Sequence, residues 1–293
     1  MPFTLAHLSD PHLAPLPAPR VAELLNKRIT GYINWQRRRR FVHERSVLDR
    51  LVADLKAQAP DHIAVTGDLT NIALKEEFVR GRQWLDGLGK PENVSVIPGN
   101  HDVYVAEGEG FARQLWGPYM AGDDGVTGFP YLRRRGPLAL IGLSSGIATA
   151  PFMATGRIGE RQLAALGALL NAEKKEGRFR VVMVHHPPVS HAKSHKRLLD
   201  AAALKEVVAA HGAELLLHGH DHLAMLNWLP DPEHNGVPAV GVPSASAAPG
   251  MSHDAAAYNL YTIDGAPGDW NCEMIARGVT HSGDVVERKR MVF

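Results

Sequence analysis

The 293-residue chain carries 32 Lys plus Arg against 31 Asp plus Glu, a formal charge of +1, which excludes a globally basic nucleic-acid binder and an acidic disordered tail. Apolar residues make up 45% and charged residues 22%, the composition of an ordinary globular protein with material for a sizeable core. A single cysteine, Cys272, excludes an internal disulfide and a CxxC site, whereas sixteen histidines supply many metal ligands and acid/base groups.

In chain order, Phe3 to Ser9 reads as a first strand running into Asp10-Pro-His12. The basic start and long apolar run of a signal peptide are missing here, so a cytoplasmic protein is expected. Ser46 to Gln58 has helical spacing through Val47, Leu48, Leu51, Val52 and Leu55, and His62 to Thr66 is a strand leading to Gly67-Asp68. A helix at Lys75 to Leu88 precedes a strand at Val94 to Ile97, which ends in Pro98-Gly-Asn-His-Asp102. Leu138 to Leu143 is a strand. The long uncharged stretch from Gly136 to Gly156 is cut by Pro137, Pro151 and several glycines, unlike a membrane span. Gly159 to Lys175 is a helix, Val181 to Val184 a strand ending in His185-His186-Pro-Pro, Leu198 to His211 a helix, and Glu214 to Leu217 a strand ending in His218-Gly-His-Asp-His222. Beyond it, Trp228, Val237 to Val242, Tyr258 to Ile263 and Asn271 to Ala276 read as strands with little helix between them. This predicts a mostly antiparallel end to a mixed sheet. Ser282 to Phe293 is a closing strand or a partner contact. One domain spanning 1–293 is expected, with a helical cap at about 20–45 and a strand-rich part at about 224–293.

Five strand ends thus deliver Asp10, His12, Asp68, Asn100, His101, His185, His220 and His222. In open α/β sheets, loops at the carboxyl ends of strands converge on one cleft. Asp-x-His and His-x-His place two ligands on the same side of an extended chain. Oxygen and imidazole donors without sulfur suit Mn, Fe or Zn. Taken singly, Gly67-Asp68 and Gly99-Asn100 read as plain turns; it is the five together, in order, that point to a site. His186 and His218 read as packed neighbours, and His7, His43, His62, His211, His234 and His281 default to structural or surface roles.

Other patterns fail on context. Gly142-Leu-Ser144-Ser-Gly146 matches GxSxG, but Ile147 to Gly156 is no evident helix, as a nucleophile elbow would need. His43-Glu44 has Val47 where HExxH requires His, and Gly108-x-Gly110 is followed by Arg113 in place of the third glycine of a dinucleotide loop.

The series Asp10-Pro-His12, Gly67-Asp68-Leu, Gly99-Asn100-His101-Asp102, Val-His185-His-Pro and Gly219-His220-Asp-His222 resembles the calcineurin-like metallophosphoesterase superfamily, most closely its bacterial cyclic-nucleotide phosphodiesterase-like branch. The resemblance implies a four-layer αββα sandwich, an α/β fold with two mixed sheets flanked by helices. It also implies two divalent or trivalent metal ions bridged by Asp68, one completed by Asp10, His12 and His222, the other by Asn100, His220 and His185 in preference to His186. His101 would face the substrate and assist the leaving group, with Asp102 orienting it.

The implied reaction is hydrolysis of a small phosphodiester, such as a cyclic nucleotide or glycerophosphodiester, by a metal-bound hydroxide. Relatives with the same blocks leave a phospholipid or nucleotide-sugar hydrolase, a nuclease or a non-catalytic scaffold as alternatives. Leu24 to Phe41, with Arg37, Arg38, Arg39 and Arg40 after Tyr32, Ile33 and Trp35, is either a solvated helix face, a cap whose arginines meet substrate phosphate, or a membrane-surface helix. His191 and His195, with Lys193 or Lys196, are further candidate contacts. Arg133-Arg134-Arg135 is a second basic cluster, too short to argue for nucleic acid.

Overall fold

Continuous apolar runs mark the central strands because both faces of each are covered. The computed structural model describes residues 2–125, 128–231, 236–250 and 253–293; His234 lies outside them. One six-stranded sheet runs, edge to edge, β12 (Val285–Val292), β11 (Asp269–Val279), β10 (Ala257–Ala266), β1 (Phe3–Leu8), β2 (His62–Val65) and β3 (Val94–Val96). The other runs β4 (Tyr131–Arg135), β5 (Leu138–Gly142), β6 (Phe179–Met183), β7 (Leu215–His218), β9 (Val237–Gly241) and β8 (Met225–Leu229). In the first sheet β1, β2 and β3 are parallel and β10 to β12 antiparallel; in the second β5, β6, β7 and β9 are parallel between antiparallel edges. The strand-rich C-terminal part therefore does not extend one sheet. β8 and β9 complete the second and β10 to β12 the first.

Alternation along each strand divides the core. Leu138, Leu140, Val181, Met183, Leu215 and Leu217 join the core shared with the first sheet. Their neighbours Ile141, Val182 and Leu216 meet Leu163, Leu166 and Leu170 of α5 (Glu160–Lys175) and Leu204 and Val208 of α6 (Ala201–His211). The first sheet is covered by α2 (Arg45–Ala57), through Val47, Leu48, Leu51 and Leu55, and by α3 (Lys75–Leu88), through Phe78, Leu85 and Leu88. Helix, sheet, sheet and helix make the expected four layers.

Two elements departed from the sequence reading. α4 (Ala106–Trp116) was not anticipated, because Gly108 and Gly110 obscure its period. Arg133 to Arg135 form most of β4 and offer no basic patch. Arg133 is buried and donates to the carbonyls of Ala121, Pro91, Val94 and Pro118, Arg134 pairs with Glu173, and Arg135 pairs with Asp123.

Candidate metal centre and its cap

The parallel strands bring their carboxyl ends to one edge of the sandwich, where Ser9 and Ser244 bridge the two sheets. Asp10 N–H donates to Gly67 O and His12 N–H to Asp68 O, both at 3.0 Å. Ser9 forms a parallel bridge with Ser244, and Gly219 N–H donates to His185 O. Among the described residues other than glycine, Asp10 (φ 53), His12 (φ 36), Asp68 (φ 57), His220 (φ 69) and His222 (φ 57) all lie in the left-handed region. Side-chain-bearing residues avoid that region unless the surroundings enforce it, and such strain gathers at functional sites. Close approach is enforced too: a Cβ on Gly99 would run into the Asp68 carboxylate.

The donor atoms converge. Asp68 Oδ2 lies 3.4 Å from His185 Nε2 and 3.8 Å from His12 Nε2, while its Oδ1 accepts the His101 N–H at 2.7 Å. Asp10 Oδ1 lies 3.1 Å from His222 Nε2, and Asp10 Oδ2 accepts the His220 N–H at 3.0 Å. Asn100 Oδ1 is 3.2 Å from His185 Nε2 and 2.8 Å from His220 Nδ1. The far nitrogens are committed to backbone carbonyls: His12 Nδ1 to Thr70, His185 Nδ1 to Thr66 and His220 Nε2 to Lys196. A histidine that donates one N–H to a carbonyl presents a fixed lone pair on the other nitrogen, the usual orientation of a metal ligand.

His12 Nε2 and His222 Nε2 stand 3.2 Å apart, and His222 Nε2 lies within hydrogen-bond distance of Asp10 Oδ1 as well. Although burial opposes protonation, the Asp68 carboxylate draws the His185 imidazole up to about 10. Buried carboxylates, imidazoles and an amide oxygen fit one or two ions of Mn, Fe or Zn type. Asp10, Asp68 and His185 form one group of potential ligands and His12, His43 and His222 another, the atoms in each lying within 4.8 Å of one another.

His43 is the residue that sequence reading missed. It is buried, its ring centroid is 4.5 Å from that of His12, and its Nδ1 is 2.9 Å from Ser246 Oγ. No strand precedes it, so the strand-end pattern could not find it. His186, by contrast, turns away from the donors. Its Nε2–H donates to Ala154 O, its Nδ1 accepts from Ser145 Oγ, and its ring packs 4.3 Å from His220. Ser144 leads into no helix; its backbone is held by Gln162 of α5.

His101 stacks on Tyr104 and donates Nδ1–H to Asn71 O at 2.5 Å. Its Nε2 accepts from Arg39 Nη1 at 2.6 Å. Burial and then the Arg39 charge push this imidazole down to about 3, so it is neutral. Asp102 does not touch that ring. Its carboxylate accepts the backbone N–H groups of Asp68, Gly99 and Thr70 and the Thr70 hydroxyl. Burial and the nearby Asp68 raise the Asp102 carboxyl to about 7. The orienting role expected of Asp102 thus falls to the Asn71 carbonyl, and Asp102 instead gathers the loops that carry Asp68 and Asn100.

The cap comprises a 3-10 turn (Val21–Leu24), α1 (Arg28–Arg37) and a second 3-10 turn (Arg39–Phe41). It closes one side of a cavity of about 880 Å³ over the donors. Arg37, Arg38, Arg39, His191, His195 and Lys196 line that cavity. Arg40 does not; it is exposed, lies over the Phe41 ring and donates to Gln36. Arg39 has a buried Nε without a partner.

Residues 3–224 match the family described as calcineurin-like phosphoesterase. A probable cyclic nucleotide phosphodiesterase of Synechococcus sp. is 31% identical over 180 residues, which cover 59% of this chain and 62% of that relative, so the match spans less than two thirds of its length. Among solved structures, a dimetal phosphatase from Danio rerio superposes with a TM-score of 0.64 at 16% identity, covering 97% of this chain and 98% of that one. A purple acid phosphatase from yellow lupin, Lupinus luteus, gives 0.59 at 12% identity, covering 100% of this chain and 53% of that one. At such identities the likeness to solved structures is one of fold.

Proposed function

We infer, from a chain that belongs to the calcineurin-like phosphoesterase family of hydrolases acting on phosphoric esters, that it holds two metal ions and cleaves a phosphodiester. The observation that supports this most is the Asp68 carboxylate, whose Oδ2 faces both His12 Nε2 and His185 Nε2. One ion would take Asp10, His12 and His222, the other Asn100, His185 and His220, with Asp68 between them. When bound, such ions lower the pKa of water and neutralise charge on phosphate oxygens.

The remaining chemistry belongs to the protein. Arg39, with its unmet Nε–H and forked geometry, is suited to grip a nonbridging phosphate oxygen. Because Nδ1–H of His101 is held by Asn71, Nε2 is the nitrogen turned to the cap. A phosphate that takes Arg39 would release Nε2 and offset the Arg39 charge that disfavours the imidazolium, so that a proton taken up on Nε2 could be given to the leaving oxygen. Arg37 and Arg38, with His191 and His195, are placed to meet the rest of the substrate.

A small diester such as a cyclic nucleotide or glycerophosphodiester agrees with the description of the Synechococcus relative. Ile33, Phe152, Met153 and Leu223 at the cavity mouth favour a second reading, a larger diester of the phospholipid or nucleotide-sugar kind.

The test is release of nitrophenol from bis(p-nitrophenyl) phosphate, expected to vanish with chelator and return with Mn, Fe or Zn. Fully metallated protein inactive on diesters and monoesters alike would show a non-catalytic scaffold. Profiling cyclic nucleotides, glycerophosphodiesters, nucleotide sugars, phospholipids and single-stranded DNA then separates the substrate classes.

A further inference from the structure

The cap inverts the usual arrangement of a surface helix. α1 buries Arg28, whose guanidinium donates to the carbonyls of Ile72 at 3.1 Å and Ala73 at 2.8 Å, together with Trp35. It turns Ile29 and Ile33, one helical turn apart, outward at 47% and 43% exposure. Just before the helix, Val21 in the first 3-10 turn is 80% exposed and Leu25 after it 81%, so large exposed aliphatic side chains occupy positions 21, 25, 29 and 33. Scattered exposed apolar residues are ordinary, but four large ones within one short capping segment are not.

The last of them, Ile33, lines the cavity. Lys27 Nζ ties α1 to the loop beyond it through Thr149 Oγ1 at 2.6 Å and Met153 O at 3.0 Å. That loop holds Phe152 82% exposed at φ 66, a conformation in which a bulky residue is an outlier. Leu223, 44% exposed, lines the same mouth. Exposed cations flank these groups: Arg37, Arg38 and Arg40 on the cap, and Lys193 and Lys196 on the 191–196 loop. Of the acidic groups there, Glu23 pairs with Arg20, and Asp221 on the cavity lining accepts from the Ser190 hydroxyl.

We propose that Val21, Leu25, Ile29 and Ile33, with Phe152 and the flanking cations, dock this protein on an anionic lipid surface with the cavity mouth turned towards it. Aliphatic and phenyl groups suit the boundary between headgroups and acyl chains, and arginines suit lipid phosphates. A second copy of the chain fits less well, because apposing two such faces brings like charges together. Among the described residues no helix is long and apolar enough to cross a membrane, so the contact is one of docking on the surface. This inference goes beyond the phosphodiesterase reading and is tested without turnover.

The test is co-sedimentation with vesicles of phosphatidylcholine alone and of equal parts phosphatidylcholine and phosphatidylglycerol. Wild type is expected to bind the anionic vesicles at least ~10-fold more tightly, with binding weakened by salt. The triple variant Val21→Asp, Leu25→Asp, Ile29→Asp is expected to lose that binding while keeping the melting temperature and circular dichroism of wild type. Hydrogen exchange on wild type alone gives an independent readout: residues 21–33 should become protected when anionic vesicles are added. Equal binding by wild type and variant, no binding by wild type, or no added protection overturns the proposal. So does a wild-type dimer in light scattering that the triple variant makes monomeric, which would assign the face to self-association.

Discussion

Arg39 Nη1 donates to His101 Nε2 at 2.6 Å and so joins the four-arginine turn of the cap to the histidine that follows Asn100 in the centre. The contact separates Arg39 from its neighbours, because Arg40 faces solvent and Arg37 and Arg38 only line the cavity.

Replacing Arg39 by Lys keeps a charge but removes the planar fork, including the partnerless Nε–H, that can turn from His101 to a phosphate oxygen. Arg39→Lys is expected to raise KM for bis(p-nitrophenyl) phosphate by roughly tenfold. Arg40→Lys should leave KM unchanged, and equal effects of the two substitutions in steady-state kinetics would refute the distinction.

His101→Ala is expected to lower kcat by about 10²–10⁴-fold, the range for loss of acid/base or hydrogen-bonding assistance at a leaving group. Metal content by elemental analysis should stay at the wild-type level. Loss of metal from folded His101→Ala protein would instead put His101 among the ligands.

Asp102→Asn should behave differently. An amide group there would turn N–H towards backbone N–H groups that the carboxylate now accepts, at a cost of about 2–3 kcal/mol. The expected outcome is a lower melting temperature together with reduced metal content, since the Asp68 and Asn100 loops lose their tie. A variant with normal melting and full metal that fails only in kcat would restore an orienting role towards His101.

His43→Ala is expected to weaken one of two metal-binding events by about 10–100-fold, as removal of a supporting group near ligands commonly does. Titration of chelator-treated protein with Mn or Zn, followed by calorimetry, measures each event. Unchanged affinities for both would leave His43 as packing alone.

Away from the site, Asp54 of α2 accepts from Arg277 at 2.7 and 2.8 Å and from Tyr258 at 2.6 Å. Burial raises its carboxyl, but these hydrogen bonds and the arginine charge outweigh burial and hold it below the usual carboxylate range. A depressed carboxylate contributes stability that is complete above its unfolded pKa, near about 4, and is lost as pH falls through the folded value. Asp54→Asn should therefore lower the melting temperature by a few degrees at pH 7, and the gap from wild type should close below about pH 4. A gap independent of pH would mean that packing, not charge, is responsible.

Much of the scaffold was legible because local pattern and tertiary role agree. The helix over Lys75–Leu88 was read with its observed bounds, since its apolar stripe packs on the first sheet. The helix expected from Leu198 starts only at Ala201, because Leu198 bridges to Gly156 and the Asp200 carboxylate caps the N–H groups of Ile158 and Gly159. Strand β4 was hidden in an arginine run whose buried member is satisfied by carbonyls distant in sequence. At the centre, the strand-end residues could be named from their neighbours in the chain. His43 and Asn71 could not, since only tertiary folding sets one beside His12 and the other beneath His101.

The left-handed backbone of Asp10, His12, Asp68, His220 and His222 makes the centre a loaded spring. Each such residue stores on the order of 1–3 kcal/mol when held in that conformation, and the sandwich core must supply the restraint. The edge that bears the ligands is therefore the natural weak seam of the molecule. An ion that clamped several of those residues at once would act as a keystone for the joint between the two sheets as much as a reagent within it.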